Sequence, residues 1–95
     1  MEILFLVSRS ESAPALRALL WACARRRVAC GCFLTGPAAA LAGNPQIETD
    51  LRACIGAAVC GYSWERFGRG SCLVPLGSQT DSSAMAAQAR HIVSL

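Results

Sequence analysis

Glu2-Ile-Leu-Phe-Leu-Val-Ser8 is the stretch that decides the fold. Its five central residues are apolar without a break. A strand wetted on one side alternates apolar and polar residues. A continuous run this short suits a strand buried on both faces of a parallel sheet. The next twenty residues support that reading. Ser10 or Ser12 offers an N-cap, and Pro14 is tolerated in a first helical turn. Ala13 to about Arg27 reads as a helix, with Leu16, Leu19, Leu20 and Cys23 on one face. Trp21 points well away from that face, which marks it as a candidate subunit contact.

Further along, Val28–Thr35 reads as a second strand, ended by Gly36-Pro37. Ala38–Ala42 reads as a short helical turn, and Gly43-Asn44-Pro45 as its break. Gln46 to Gly61 holds a strand and a helix start whose boundary periodicity does not fix. Tyr62–Phe67 reads as a helical turn closed by Gly68-Arg69-Gly70, and Ser71–Leu76 as a short strand. Asp81 is the expected cap of a helix near Ser82–Arg90, and His91–Leu95 closes the chain as a strand. Alternating strands and helices predict one small three-layer α/β domain over residues 1–95. Its parallel sheet is doubly wound (Rossmann-like), with helices on both faces.

Composition narrows the function. The chain has 95 residues, 54% of them hydrophobic and 16% charged. So small a domain cannot hide that much apolar surface alone, which predicts association into oligomers. The net charge is +3 and all nine basic residues are arginine. Arg25-Arg26-Arg27 follows the helix pattern and complements the negative end of its dipole. No basic stripe interleaved with aromatics points to nucleic acid. Ile3–Val7 is too short for a signal core, and no run reaches the roughly 20 apolar residues that span a bilayer. The expectation is a cytoplasmic protein with its six cysteines reduced.

Those cysteines are where chemistry is expected. There is one histidine, with no paired carboxylates and no phosphate-binding fingerprint. In Leu51-Arg-Ala-Cys54-Ile-Gly-Ala-Ala58, an apolar-edged run delivers a thiol into a small-residue segment able to open a helix. Helix N-termini favour the thiolate. Cys54 is therefore the first candidate nucleophile. In a second register, Ile55-Gly-Ala-Ala-Val-Cys60-Gly-Tyr-Ser63 is a strand ending in a cysteine. That makes Cys60 the alternative, at the carboxyl end of a strand where open α/β sheets place ligands. Cys23 and Cys72 read as inert buried residues. Cys30-Gly31-Cys32 is not a Cys-x-x-Cys motif and has no second ligand pair at zinc spacing, so it reads as packing. His91 reads as peripheral. No metal or cofactor is expected.

Three segments carry a family resemblance: Ile3–Val7, Leu51–Ala58 around Cys54, and Pro75-Leu-Gly-Ser78 through His91–Leu95. Together they resemble the DsrE/DsrF/DsrH (TusD/TusC/TusB) superfamily of sulfur-relay proteins. The resemblance implies a DsrE-like domain carrying sulfane sulfur as a cysteine persulfide, a sulfurtransferase activity. It also implies oligomers of like or related subunits, with sulfur donor and acceptor proteins as partners. The chain departs from the catalytic members in having Val59-Cys60-Gly61 where they carry Arg-Arg-Gly, and Arg90-His91 in place of Asp-Arg. In length it is closer to the small subunits, so a non-catalytic structural subunit is one alternative. A flavodoxin-like nucleotide- or phosphate-binding domain is another, because Ser8-Arg-Ser10-Glu-Ser12 follows the first strand.

Overall fold

The computed structural model describes residues 1–95. Five strands form one sheet: β1 (Ile3–Val7), β2 (Cys30–Leu34), β3 (Gly56–Cys60), β4 (Leu76–Gly77) and β5 (His91–Ser94). Their spatial order is β4-β3-β2-β1-β5, and every neighbouring pair is parallel. The chain steps outward from β1 to β4, then crosses back to lay β5 on the other side of β1. Four helices make the connections: α1 (Ala13–Arg26), α2 (Pro45–Leu51), α3 (Gly61–Phe67) and α4 (Gln79–Gln88). A 3-10 segment, Gly36–Gly43, precedes α2. This is the small doubly wound α/β fold that the run at Ile3–Val7 predicts.

Three of the four helices have a plain local cause. Pro14 sits in the first turn of α1, and Leu16, Leu20 and Cys23 form its buried stripe. The helical pattern places Leu19 on that face, but Leu19 is 38% exposed. It lies on the flank of α1 that borders a groove with Ile3, Phe5 and Val93, where no second helix completes the cover. Arg27 ends α1 in the left-handed conformation, φ 55°. Asn44 caps α2 by accepting from the N–H groups of Gln46 (2.8 Å) and Ile47 (3.3 Å). The cap of α4 is Ser78 rather than Asp81. The two share a capping box in which Ser78 accepts from Asp81 N–H and Asp81 accepts from Ser78 N–H.

The sheet has two unequal faces. Phe5, Val7, Cys30, Cys32, Leu34 and Val59 join Leu16, Leu20, Ile47 and Leu51 of α1 and α2 in the main core. Burying such side chains drives folding, and truncating one to alanine costs about 2–5 kcal/mol. The opposite face is covered by α4, whose Met85 approaches Gly56 while Met1 covers Gly31. Leu4 and Phe33 are fully buried there. No residue of α4 is itself fully buried, so this layer is thin. No helix of the chain is long and apolar enough to cross a membrane.

The segment Gln46–Gly61 resolves as helix, turn, strand. Cys54 does not stand between a strand and a helix. It follows the end of α2 and precedes β3, at the amino edge of the sheet. The strand expected at Ser71–Leu76 shrinks to Leu76–Gly77, because Leu73 N–H is drawn away to Ala42 O (2.9 Å).

Candidate functional site

Cys60 is the last residue of β3 and stands directly before α3, at the carboxyl edge of the sheet. Its neighbours come from its own crossing and from the one after β2. Thr35 and Gly36 follow β2, and Ser63 lies in the first turn of α3. Ser63 is a buried polar residue, and its hydroxyl accepts from Gly36 N–H at 2.9 Å. Thr35 Oγ1 lies 3.5 Å from the same oxygen. Gly36 takes φ +56°, a conformation that suits glycine.

This arrangement acts on the thiol. The Ser63 hydroxyl and N–H, the Tyr62 N–H and the Thr35 hydroxyl favour the Cys60 thiolate and hold its pKa below the ordinary thiol value. Partial desolvation opposes them and is outweighed. Cys60 is only 7% exposed, yet it sits at the rim of the sheet beside Tyr62, which is 68% exposed. Arg66 lies over the rings of Tyr62 (5.8 Å) and Phe67 (5.6 Å) on the same helix.

Cys54 has the opposite environment. It is half-buried, and its Sγ lies 3.7 Å from Cys30 Sγ. Burial, then the nearby thiols led by Cys30, push its pKa well above the ordinary value. The expected helix N-terminus is absent, because the helix beside Cys54 presents its carboxyl end there. Cys54 and Cys60 thus mark opposite edges of the sheet. Burial pushes Cys32 up to about 12 and also raises Cys23. Cys72 is half-buried and its Sγ donates to Val74 O at 3.1 Å. His91 is exposed at the start of β5.

The loop after β1 forms a 3-10 turn over Ser10–Ser12. Glu11 engages two side-chain donors of this loop, those of Ser10 and Arg9. Its own N–H, Ser10 Oγ (3.1 Å) and Arg9 (3.4 Å) hold its carboxyl below the usual carboxylate range. No three His, Cys, Asp or Glu side chains converge as a metal cage.

Sequence pattern alone does not single out Ser63, Thr35 or Gly36. Ser63 is three residues from Cys60, a spacing that joins them across one helical turn. The contact to Thr35 and Gly36 depends on the neighbouring crossing. The fold and this edge together define a small doubly wound α/β domain with a thiol at the carboxyl end of a central strand, beside a hydrogen-bonded Thr35, Gly36 and Ser63. The chain matches no protein-family model, no curated protein and no solved structure.

Proposed function

We propose that this chain is a sulfur-relay protein that carries sulfane sulfur as a persulfide, with Cys60 as the carrier. The observation behind this reading is the place of Cys60 at the carboxyl edge of the sheet, beside the hydrogen-bonded Thr35, Gly36 and Ser63, in surroundings that favour its thiolate. Persulfide transfer depends on thiolate fraction and access, as thiol–disulfide exchange does. The Cys60 thiolate attacks the terminal sulfur of a donor persulfide. A new S–S bond forms to Cys60, the donor's S–S bond breaks, and the donor leaves as its thiolate. An acceptor thiolate then attacks the outer sulfur on Cys60 and releases the Cys60 thiolate. No electrons are gained or lost overall. Ser63 and Thr35 stabilise the thiolate that leaves in this second step.

The resemblance in the sequence is carried by the stretch around Cys54 and supports sulfur relay as the chemistry, while the choice of Cys60 rests on the surroundings of its sulfur. Assembly with like or related subunits belongs to the same proposal. Eight large apolar side chains are exposed, among them Ile55, Tyr62, Leu76 and Ile92. Surface of that kind favours association, and donor and acceptor proteins would need to dock beside Tyr62 to reach Cys60.

The test is loading with a small persulfide donor, read by intact-protein mass. Wild type and Cys54→Ser should gain one sulfur atom, removable by dithiothreitol, and Cys60→Ser should not. Equal loading of Cys60→Ser and wild type would refute Cys60 as carrier. No loading of any form would favour a structural subunit.

A further inference from the structure

The amino edge of the sheet carries a second thiol arrangement that sulfur relay at Cys60 does not use. Cys30 opens β2, and Cys54 lies in the turn that leads into β3. Ile55 N–H donates to Cys30 O at 2.9 Å, which ties the turn to the foot of β2. Gly31 and Gly56 are in register one step further on. Ile55 is therefore abreast of Cys30, and Cys54 stands one residue away from a strand spacing of about 4.8 Å, an offset compatible with the roughly 4.4–6.8 Å Cα separation that a disulfide spans.

The side chains meet the same requirement. The turn sends Ile55 toward the α4 side, beside Met1 and Met85. Cys54 packs against the opposite face, where Cys30 is buried. The two sulfurs are 3.7 Å apart. A disulfide needs about 2.05 Å, a closure within reach of a side-chain rotation and a small shift of the turn. Cys23 and Cys32 are the other thiols near Cys30, and both are buried. Cys54 is the half-open member of the group.

We infer that Cys30 and Cys54 form a reversible intramolecular disulfide under peroxide, a redox-sensitive clip at the foot of β3. Hydrogen peroxide in excess oxidises the minor thiolate form of Cys54 to the sulfenic acid and is reduced to water, a slow step because burial disfavours that thiolate. The Cys30 thiol then attacks that sulfur; the S–S bond forms, the S–O bond breaks, and a second water leaves with the Cys30 proton. Two electrons pass from the dithiol to peroxide. A dithiol reductant reverses the step by exchange.

The full chain carrying Cys60→Ser is the right background, because it removes the thiol proposed for sulfur transfer and keeps the two ideas separate. Treatment with hydrogen peroxide should lower its mass by two hydrogen atoms, and dithiothreitol should restore it. Adding Cys54→Ser or Cys30→Ala should abolish that loss, whereas adding Cys23→Ala or Cys32→Ala should leave it intact. Cys54→Ser lies in a partly exposed turn and keeps the fold testable even if Cys30→Ala does not. Persistence of the loss in the Cys54→Ser protein would overturn the inference. So would oxygen additions without any loss of hydrogen, or a disulfide that joins two chains.

Discussion

The difference between Cys54 and Cys60 comes from what each sulfur faces. Cys60 meets hydroxyls and N–H groups, and its thiolate is favoured. Cys54 meets apolar side chains and the thiol of Cys30, and its thiolate is disfavoured. Removing the Ser63 hydroxyl withdraws the strongest support, so Ser63→Ala should shift the pH profile of Cys60 alkylation to higher pH. A fall in rate of several-fold near neutral pH is expected, with circular dichroism unchanged; an unmoved profile would show that Ser63 does not act on the thiol. Gly36→Ala should have a milder version of the same effect through strain, since a left-handed conformation costs an L-residue about 1–2 kcal/mol. The sequence reading puts Cys54 first and Cys60 as the alternative, because what each sulfur faces is not legible in the chain. Ala and Gly around Cys54 carry no periodicity, and a helix start looks the same there as a turn. The hydroxyls that decide the matter come partly from another crossing, remote from Cys60 in the chain.

At the scale of elements, α1 and α2 are clasped by one carboxylate. Asp50 accepts from Arg17 Nε at 2.6 Å and from Trp21 Nε1 at 2.9 Å, and Arg17 lies 5.1 Å over the Trp21 ring. Desolvation opposes ionisation of Asp50, but the hydrogen bonds from Trp21 and Arg17 and the Arg17 charge outweigh it and lower its pKa. A carboxyl lowered on folding contributes stability above its unfolded pKa, about 3.9, and loses it as pH falls through the folded value. Asp50→Ala should therefore destabilise by about 1–3 kcal/mol at neutral pH and flatten the acid limb of stability against pH, both measured by urea unfolding. Arg27→Gly tests the end of α1. Arginine there holds a left-handed conformation that glycine takes freely, so this change should stabilise by about 1 kcal/mol in the same assay. Legibility differs among the elements. The apolar runs of β1 and β2 and the stripe Leu16, Leu20, Cys23 are plain in the sequence. Gly43-Asn44-Pro45 reads as a break, yet Asn followed by Pro is equally a helix start, with Asn as cap and Pro at the first position. Reading it as a break reverses the order of helix and strand before Cys60.

For the whole molecule, an apolar-rich short chain folds around one well-packed face and one thin one. The α1 and α2 side holds the main core, with a groove along the Leu19 flank of α1, while α4 alone shields the other. Trp21 stands away from the core as the helical wheel predicts, but its indole N–H is engaged within the chain by Asp50. Trp21→Ala should therefore weaken the fold by leaving Asp50 short of a donor, a loss of about 1 kcal/mol, readable in urea unfolding. Sedimentation at micromolar concentration should give a species larger than the 10.0 kDa monomer, in keeping with the exposed apolar side chains; a monomer would count against the proposed assembly. The parallel sheet sets two thiol environments the length of β3 apart, Cys60 at its carboxyl end and the Cys30–Cys54 pair at its foot. Residue-resolved alkylation of the reduced wild type near neutral pH tests that division most directly. Cys60 should be labelled first, and Cys54 should remain largely unlabelled on the same timescale. Labelling of Cys54 ahead of Cys60 would contradict the assignment of the reactive thiol to the carboxyl edge of the sheet.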